Sequence, residues 1–218
     1  MAGPVKPRRS YDSSGRQEQA RRSRREILES ARRLFLERGY ASTTVAEVAT
    51  GAGLSVETVY KAFGNKAGLV KAVFDVAIVG DDEPIPMMQR EFVRRNMAEP
   101  DARKRLRAYG AHLARVSPRA CPIQLVVREA AATDPAAAEV WAQLQAERLT
   151  GMTAFARHLD EGGHLRPGVT WQEARDVLWV HNSVELWHLL VDQRGWSNQR
   201  FGRWVGAQLV AALLPPAP

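Results

Sequence analysis

Among 218 residues, side chains whose types and spacing could do chemistry gather in two places. His181, Glu185 and His188 stand at i, i+4 and i+7, one face of a helix that could hold a metal ion. Glu185-Leu186-Trp187-His188 also has the Glu-x-x-His spacing of di-iron bundles, but such a bundle needs a second, and no second one is expected on a helix. There is no nucleophile-elbow or phosphate-cradling glycine motif. The single cysteine, Cys121, has no partner for a disulfide or a cysteine-based zinc site. An enzyme is therefore not expected, nor a cofactor. The second place is residues 55–61. There Val56, Glu57, Tyr60 and Lys61 share the side of a short helix opposite Val59 and Phe63. A carboxylate, a phenol and an ammonium on one helix face suit base edges and backbone phosphates.

Charge points the same way. Residues 1–66 hold 13 Lys/Arg against 7 Asp/Glu, while the remainder holds 18 against 17, so nearly all of the net +7 lies at one end. Clustered positive charge is the footprint of polyanion binding, although a solvated basic tail gives the same count. Composition is that of an ordinary globular chain, with 45% hydrophobic and 25% charged residues. The N-terminus lacks the apolar run of a signal peptide. The most apolar later stretch, Val177 to Val191, is interrupted by His181, Asn182, Glu185 and His188, so a soluble, cytoplasmic protein without membrane contact is expected.

Those side chains need rigid elements to hold them. Residues 1–22 are rich in Gly, Pro, Ser and Arg and poor in apolar residues, which predicts a disordered basic arm. Its Lys6, Arg8, Arg9, Arg21 and Arg22 suit a minor groove or a solvated tail equally. From Arg24, the residues Ile27, Leu28, Ala31, Leu34 and Phe35 mark one helix face, ended by Gly39. Thr44 and Glu47 have capping-box spacing and start a short helix through Ala49, and Gly51-Ala52-Gly53 breaks it. Ser55 caps a third helix running to Phe63, with Leu54 and Val59 spaced as a hydrophobic staple. Gly64 stops that helix, and Asn65 caps the next, which carries Leu69, Val70, Val73, Phe74 and Val76 away. Two short helices joined by a glycine turn make a helix-turn-helix.

At this point the residues resemble a family. Thr43-Thr44-Val45, Ala52-Gly53-Leu54-Ser55, Thr58-Val59-Tyr60-Lys61-Ala62-Phe63 and Gly64-Asn65-Lys66 are similar, in order and spacing, to the DNA-binding module of TetR-type regulators over about residues 24–76. The resemblance implies an all-α protein: a helix-turn-helix domain over 23–69, then a helical effector-binding and dimerisation domain over 70–218. It implies a homodimeric repressor that binds a palindromic double-stranded DNA operator and is released by a small-molecule effector. It also implies phosphate contacts at Thr44, Tyr60 and Lys66, which suits hydroxyls and an ammonium near helix starts. Thr43, Ser55, Val56, Glu57, Thr58 and Lys61 complete the expected DNA-facing set. Glu57 equally suits the positive helix end and an i+4 pair with Lys61. The sequence departs from the family where Ala67 replaces a common acidic residue and Gly68 weakens the start of that helix.

Beyond the loop Asp81–Pro86 every segment reads helical: Met87–Met97, Asp101–Val116, Pro118–Ala132, Asp134–Asp160, Trp171–Asp192 and Ser197–Leu214. Polar or aromatic groups among apolar neighbours, His112, Gln124, Arg128, Trp141, Trp179, Asn182 and Ser183, are the candidates for an effector pocket, and a satisfied core would look alike. Val177 to Val191 is apolar around most of its circumference, as for a helix covered by a second chain. Met152, Phe155, Val184, Trp187 and Val191 are the expected dimer-interface residues, with packing inside one chain the alternative.

Overall fold

Ser55, Thr44 and Asn65 each accept a backbone N–H of the helix they precede, and these caps punctuate the N-terminal module. The computed structural model describes residues 13–216, and among them it is all helical. Helix α1 (Ser13–Arg38) is followed by α2 (Val45–Ala52), α3 (Val56–Phe63) and α4 (Lys66–Val79). A 3-10 turn at Met87–Gln89 leads into α5 (Glu91–Ala98), α6 (Ala102–Ala130), α7 (Pro135–Glu161), α8 (Trp171–His181), α9 (Val184–Trp187) and α10 (Asn198–Leu213). No described helix is long and apolar enough to cross a membrane.

Four expectations change. Helix α1 begins at Ser13, inside the segment read as a disordered arm, and places Arg21 and Arg22 on an exposed helical turn. Arg22 there pairs with Glu26 one turn on. Lys6, Arg8 and Arg9 lie outside the described residues. Helix α6 runs unbroken through Pro118 and Pro122, where a break at Pro118 was expected. Pro118 itself is exposed, while Val116, Ala120, Ile123 and Val127 are buried against the module and Leu106, Tyr109 and Leu113 face the rest of the domain. Packing on both halves holds the helix where the missing amides would weaken it. The stretch Trp171–Asp192 is two helices, not one: Asn182 ends α8, and Ser183 caps α9 by accepting Leu186 N–H at 3.2 Å. A π-helical turn, His188–Gln193, follows directly. Met87–Met97 likewise divides into the 3-10 turn and α5.

Two cores organise the chain. The first joins Ile27, Phe35, Val48 and Val59 of the module to Val70 and Val73 of α4, and continues into Ile123 and Val127 of α6 and Val140 and Leu144 of α7. The second is built by the other halves of α6 and α7 with α8, α9 and α10, and Trp141 packs against both. Helices α6 and α10 cross closely at Gly110, Gly202 and Gly206. A Cβ on Gly110 would stand 2.3 Å from the Gly202 carbonyl oxygen, so side chains are excluded at the crossing.

Candidate nucleic-acid interface

Helix α3 is fastened from behind by Val59, which is 1% exposed, and by half-buried Phe63, so its opposite side is open. Val56, Glu57, Tyr60 and Lys61 are all exposed there, Tyr60 at 49%. Glycine closes the unit at both ends: Gly53 (φ 67°) and Gly64 (φ 75°) adopt left-handed backbone that L side chains resist. Arg24 of α1 lies over the Phe63 ring at 4.5 Å and pairs with Asp82 at 2.6 Å, which braces the end of α3 against the chain beyond α4.

The hydroxyls sort into three kinds. Thr44 forms a full capping box: its Oγ1 accepts Glu47 N–H at 3.2 Å, and Glu47 Oε2 accepts Thr44 N–H at 2.9 Å. The bonds that the Glu47 carboxylate accepts from Thr44 N–H and from Thr44 Oγ1 hold it below its ordinary pKa, with Arg38 adding to the effect. Ser55 Oγ accepts Thr58 N–H at 3.1 Å and lies 2.8 Å from Thr58 Oγ1. Both are exposed or half-exposed at the start of α3. Thr43 is different. It is 1% exposed, and its Oγ1 donates to Leu34 O and Gly39 O, so it stitches the end of α1 and is withdrawn from any DNA-facing surface. A hydroxyl beside an exposed cap reads alike in sequence; this one turns inward to carbonyls at the end of α1 and just beyond it.

Lys66 is half-buried at the start of α4. Its Nζ donates to Tyr40 O at 3.0 Å and stands 4.2 Å from the Tyr40 ring centroid. An ammonium has three donors, so two remain to meet a phosphate. Tyr40 is thus a positioning residue that the sequence did not advertise. Asn65 caps α4 over Gly68, at 2.8 Å. A Cβ on Gly68 would collide with the Phe63 carbonyl oxygen at 2.2 Å, so this glycine serves a close approach between α3 and α4.

The expected effector residues do not come together. His112 and Arg128 stand sixteen residues apart on α6, about 24 Å of helix, and so do not share one compact site. His112 stacks on Phe92 of α5 at 3.7 Å, and burial, aided by Arg115 and Arg119, pushes its pKa down to about 4. Gln124 is buried on α6, and Arg128 pairs with Glu185 of α9 at 3.5 Å. His181 Nδ1 lies 2.8 Å from Val177 O. Trp179, Asn182 and Ser183 do cluster at the joint between α8 and α9, where Asn182 Nδ2 reaches Met152 Sδ at 3.8 Å. Open clefts lie elsewhere, beside Glu29, Arg33 and Gly51 and beside Pro100, His164 and Leu214.

The expected dimer residues are also displaced. Met152, Phe155, Val184 and Trp187 are buried in the chain's own core, and Val191 is half-buried. The outer faces of α7 and α8 instead carry Leu149 and Val180, with Leu189 on the π turn. Periodicity shows that a helix is apolar on several sides but not which side its own chain covers.

Residues 27–73 match the family model described as "Bacterial regulatory proteins, tetR family". The chain is 45% identical over 58 residues to the HTH-type transcriptional regulator TtgR of Pseudomonas putida, covering 27% of this chain and 28% of that protein. It is 40% identical over 53 residues to the uncharacterised HTH-type transcriptional regulator YvkB of Bacillus subtilis, covering 24% and 28%. The chain therefore spans under a third of the length of these relatives. Across the fold it is similar to the solved SmeT–triclosan complex (TM-score 0.67, 21% identity, 90% of this chain and 98% of that one). It is similar, too, to the transcriptional regulator FadR of Bacillus subtilis in complex with stearoyl-CoA (TM-score 0.67, 15% identity, 86% and 97%).

Proposed function

We propose, from the match of residues 27–73 to the model of the tetR family of bacterial regulatory proteins, that the chain is a cytoplasmic DNA-binding transcriptional repressor. Its homodimer grips a palindromic operator and is released by a small-molecule effector. One observation carries the reading: the outer side of α3, with Val56, Glu57, Tyr60 and Lys61, faces solvent on a helix anchored from behind.

In this reading α3 enters the major groove with its N-terminal half toward base edges, while Thr44, Tyr60 and Lys66 take the flanking phosphates. Two-fold symmetry places the partner's α3 about one DNA turn away, roughly 34–36 Å. Helices α7 and α8 form the pairing surface. They run antiparallel, since Arg148 Nη1 donates to Trp179 O at 2.7 Å while Arg157 lies over Trp171 at 4.3 Å. Leu149 and Val180, 40% and 51% exposed, flank the first of these contacts. Apolar side chains left open beside each other are what a partner chain would cover.

Release needs a mechanical connection, and two features support one. The first core extends from the module into α6 and α7. In addition, Lys71 of α4 bridges Asp75 at 2.6 Å and Glu147 of α7 at 3.1 Å. An effector that shifts α7 would drag α4 and change the spacing of the two α3 helices, provided that it binds one arrangement better than the other. That SmeT and FadR have been solved with triclosan and stearoyl-CoA is consistent with a ligand in this domain.

The test is to recover genomic fragments retained by the purified protein and measure their affinity by fluorescence anisotropy. Specific binding at about 10⁻⁸ M or tighter at physiological salt is expected, with Tyr60→Ala weakening it. Indifference to DNA even in dilute salt would end the regulator reading. Crystal structures with and without effector that kept one recognition-helix separation would end the release mechanism.

A further inference from the structure

Between α7 and α8 three hydrogen-bond donors are buried with nothing to donate to: Arg148 Nε, Gln145 Nε2 and Trp179 Nε1. They are neighbours. Gln145 Oε1 accepts Arg148 Nη2 at 2.6 Å, and the guanidinium lies 4.3 Å from the centre of the Trp179 ring. The Gln145 amide cannot be turned round to relieve this. A guanidinium only donates, so the amide oxygen must face it and the NH2 must point away.

Stronger acceptors are scarce around them. Tyr109 OH and Asn182 Nδ2 have the Met152 thioether as their acceptor, at 3.4 and 3.8 Å, a weak one. The carboxylate whose field most favours the charged form of Arg148 is Glu185, yet Glu185 pairs with Arg128 instead. Leu144 and Met152, one turn to either side of Arg148, are buried and make its surroundings apolar. Here, too, the helix is interrupted, first between His181 and Val184 and then by the π turn, a distortion that recurs at functional sites. A core that served packing alone would not gather donors of one kind without acceptors, since native interiors pair nearly all their buried polar groups.

We propose that Arg148, Gln145 and Trp179 form the binding site for a carboxylate borne on an apolar body, and that this is the chemical class of the effector. The regulatory half of the proposal rests on the repressor reading; the binding half does not. One carboxylate oxygen takes Arg148 Nε and the other takes Gln145 Nε2 or Trp179 Nε1, while the apolar body lies along Leu144 and Met152.

Benzoate and octanoate serve as probes against their neutral amides, benzamide and octanamide, with binding followed by thermal shift and tryptophan fluorescence. Both carboxylates should raise the unfolding midpoint and the amides should not. Arg148→Met, which keeps the volume and removes all the donors, should abolish the response. Trp179→Phe, which removes one donor and keeps a ring, should weaken it about tenfold, as for a hydrogen bond to a charged group. Each variant is compared with its own ligand-free midpoint, because Arg148→Met also loses the bonds to Trp179 O and Gln145 Oε1, whereas Trp179→Phe deletes only a donor without a partner. Equal shifts from acids and amides, an unaltered response in Arg148→Met, or no response to either carboxylate at millimolar concentration would overturn the proposal. The last result would mean that solvent alone satisfies the donors. Operator binding measured on the same preparations separates the two readings, since failure there with carboxylate binding intact would refute the repressor and leave the site.

Discussion

Replacing Lys66 with alanine tests the DNA reading more sharply than any other single change, because that reading gives this side chain two jobs with separable signatures. Within the protein its Nζ makes one hydrogen bond to Tyr40 O and one cation–π contact with the Tyr40 ring. A half-buried cation–π contact contributes about 0.5–2 kcal/mol and the hydrogen bond about 1 kcal/mol net. Lys66→Ala should therefore cost roughly 1.5–3 kcal/mol, lowering the midpoint by about 3–12 °C in a chain of this size. Toward DNA, its two remaining donors would neutralise one phosphate, so the slope of log K against log salt should flatten by about 0.9. Raising salt from about 50 to 200 mM should then shrink the affinity gap between wild type and variant roughly threefold. Anisotropy titrations at four salt concentrations, well below both unfolding midpoints, would measure it. Parallel slopes, with the variant uniformly weaker, would mean that Lys66 only supports Tyr40 and would refute its role as a phosphate ligand.

The other expectations follow from particular contacts. Thr43→Val should destabilise the fold by about 1–2 kcal/mol by leaving Leu34 O and Gly39 O without that donor, while a folded sample keeps wild-type DNA affinity by anisotropy; a large affinity loss would put Thr43 back at the interface. The double variant Leu149→Glu/Val180→Glu should run as a monomer in size-exclusion chromatography with light scattering, and a dimer that persisted would place the pairing surface elsewhere. His112 is held neutral, its pKa pushed from an ordinary 6.5 down to about 4. The folded state thus binds fewer protons than the unfolded chain, and stability should be complete above about pH 6.5 and fall as pH drops toward 4. His112→Phe, which keeps the stack on Phe92, should flatten that fall in acid denaturation curves, and an unchanged curve would assign it to other groups.

Local chemistry made the module readable from sequence. Thr44 with Glu47, Ser55 and Asn65 satisfy backbone amides within three residues of themselves, so their spacing alone locates α2, α3 and α4. The exposed side of α3 follows because Val59 and Phe63 must both turn inward on a helix of eight residues. What depends on distant chain was hidden. Thr43 turns in because the end of α1 offers it carbonyls; Pro118 stays helical because α6 is packed on both halves; Met152 and Phe155 are claimed by their own core before any partner can reach them. Arg148 left one trace, a charge at i+4 from Leu144 and i−4 from Met152 on an otherwise apolar stripe. That trace became meaningful only once Gln145 and Trp179 were seen beside it.

The continuity of the first core, from Ile27 through Val73 to Ile123 and Leu144, has a bearing on how such proteins are rebuilt. A cut after residue 69 would take Val70, Val73 and Phe74 away from Ile27, Phe35 and Val48 and leave the module with a raw apolar flank. Grafting this reading head onto a foreign sensor therefore requires transplanting the matching strip of α6 and α7 as well, and hybrids spliced at the end of the helix-turn-helix should aggregate.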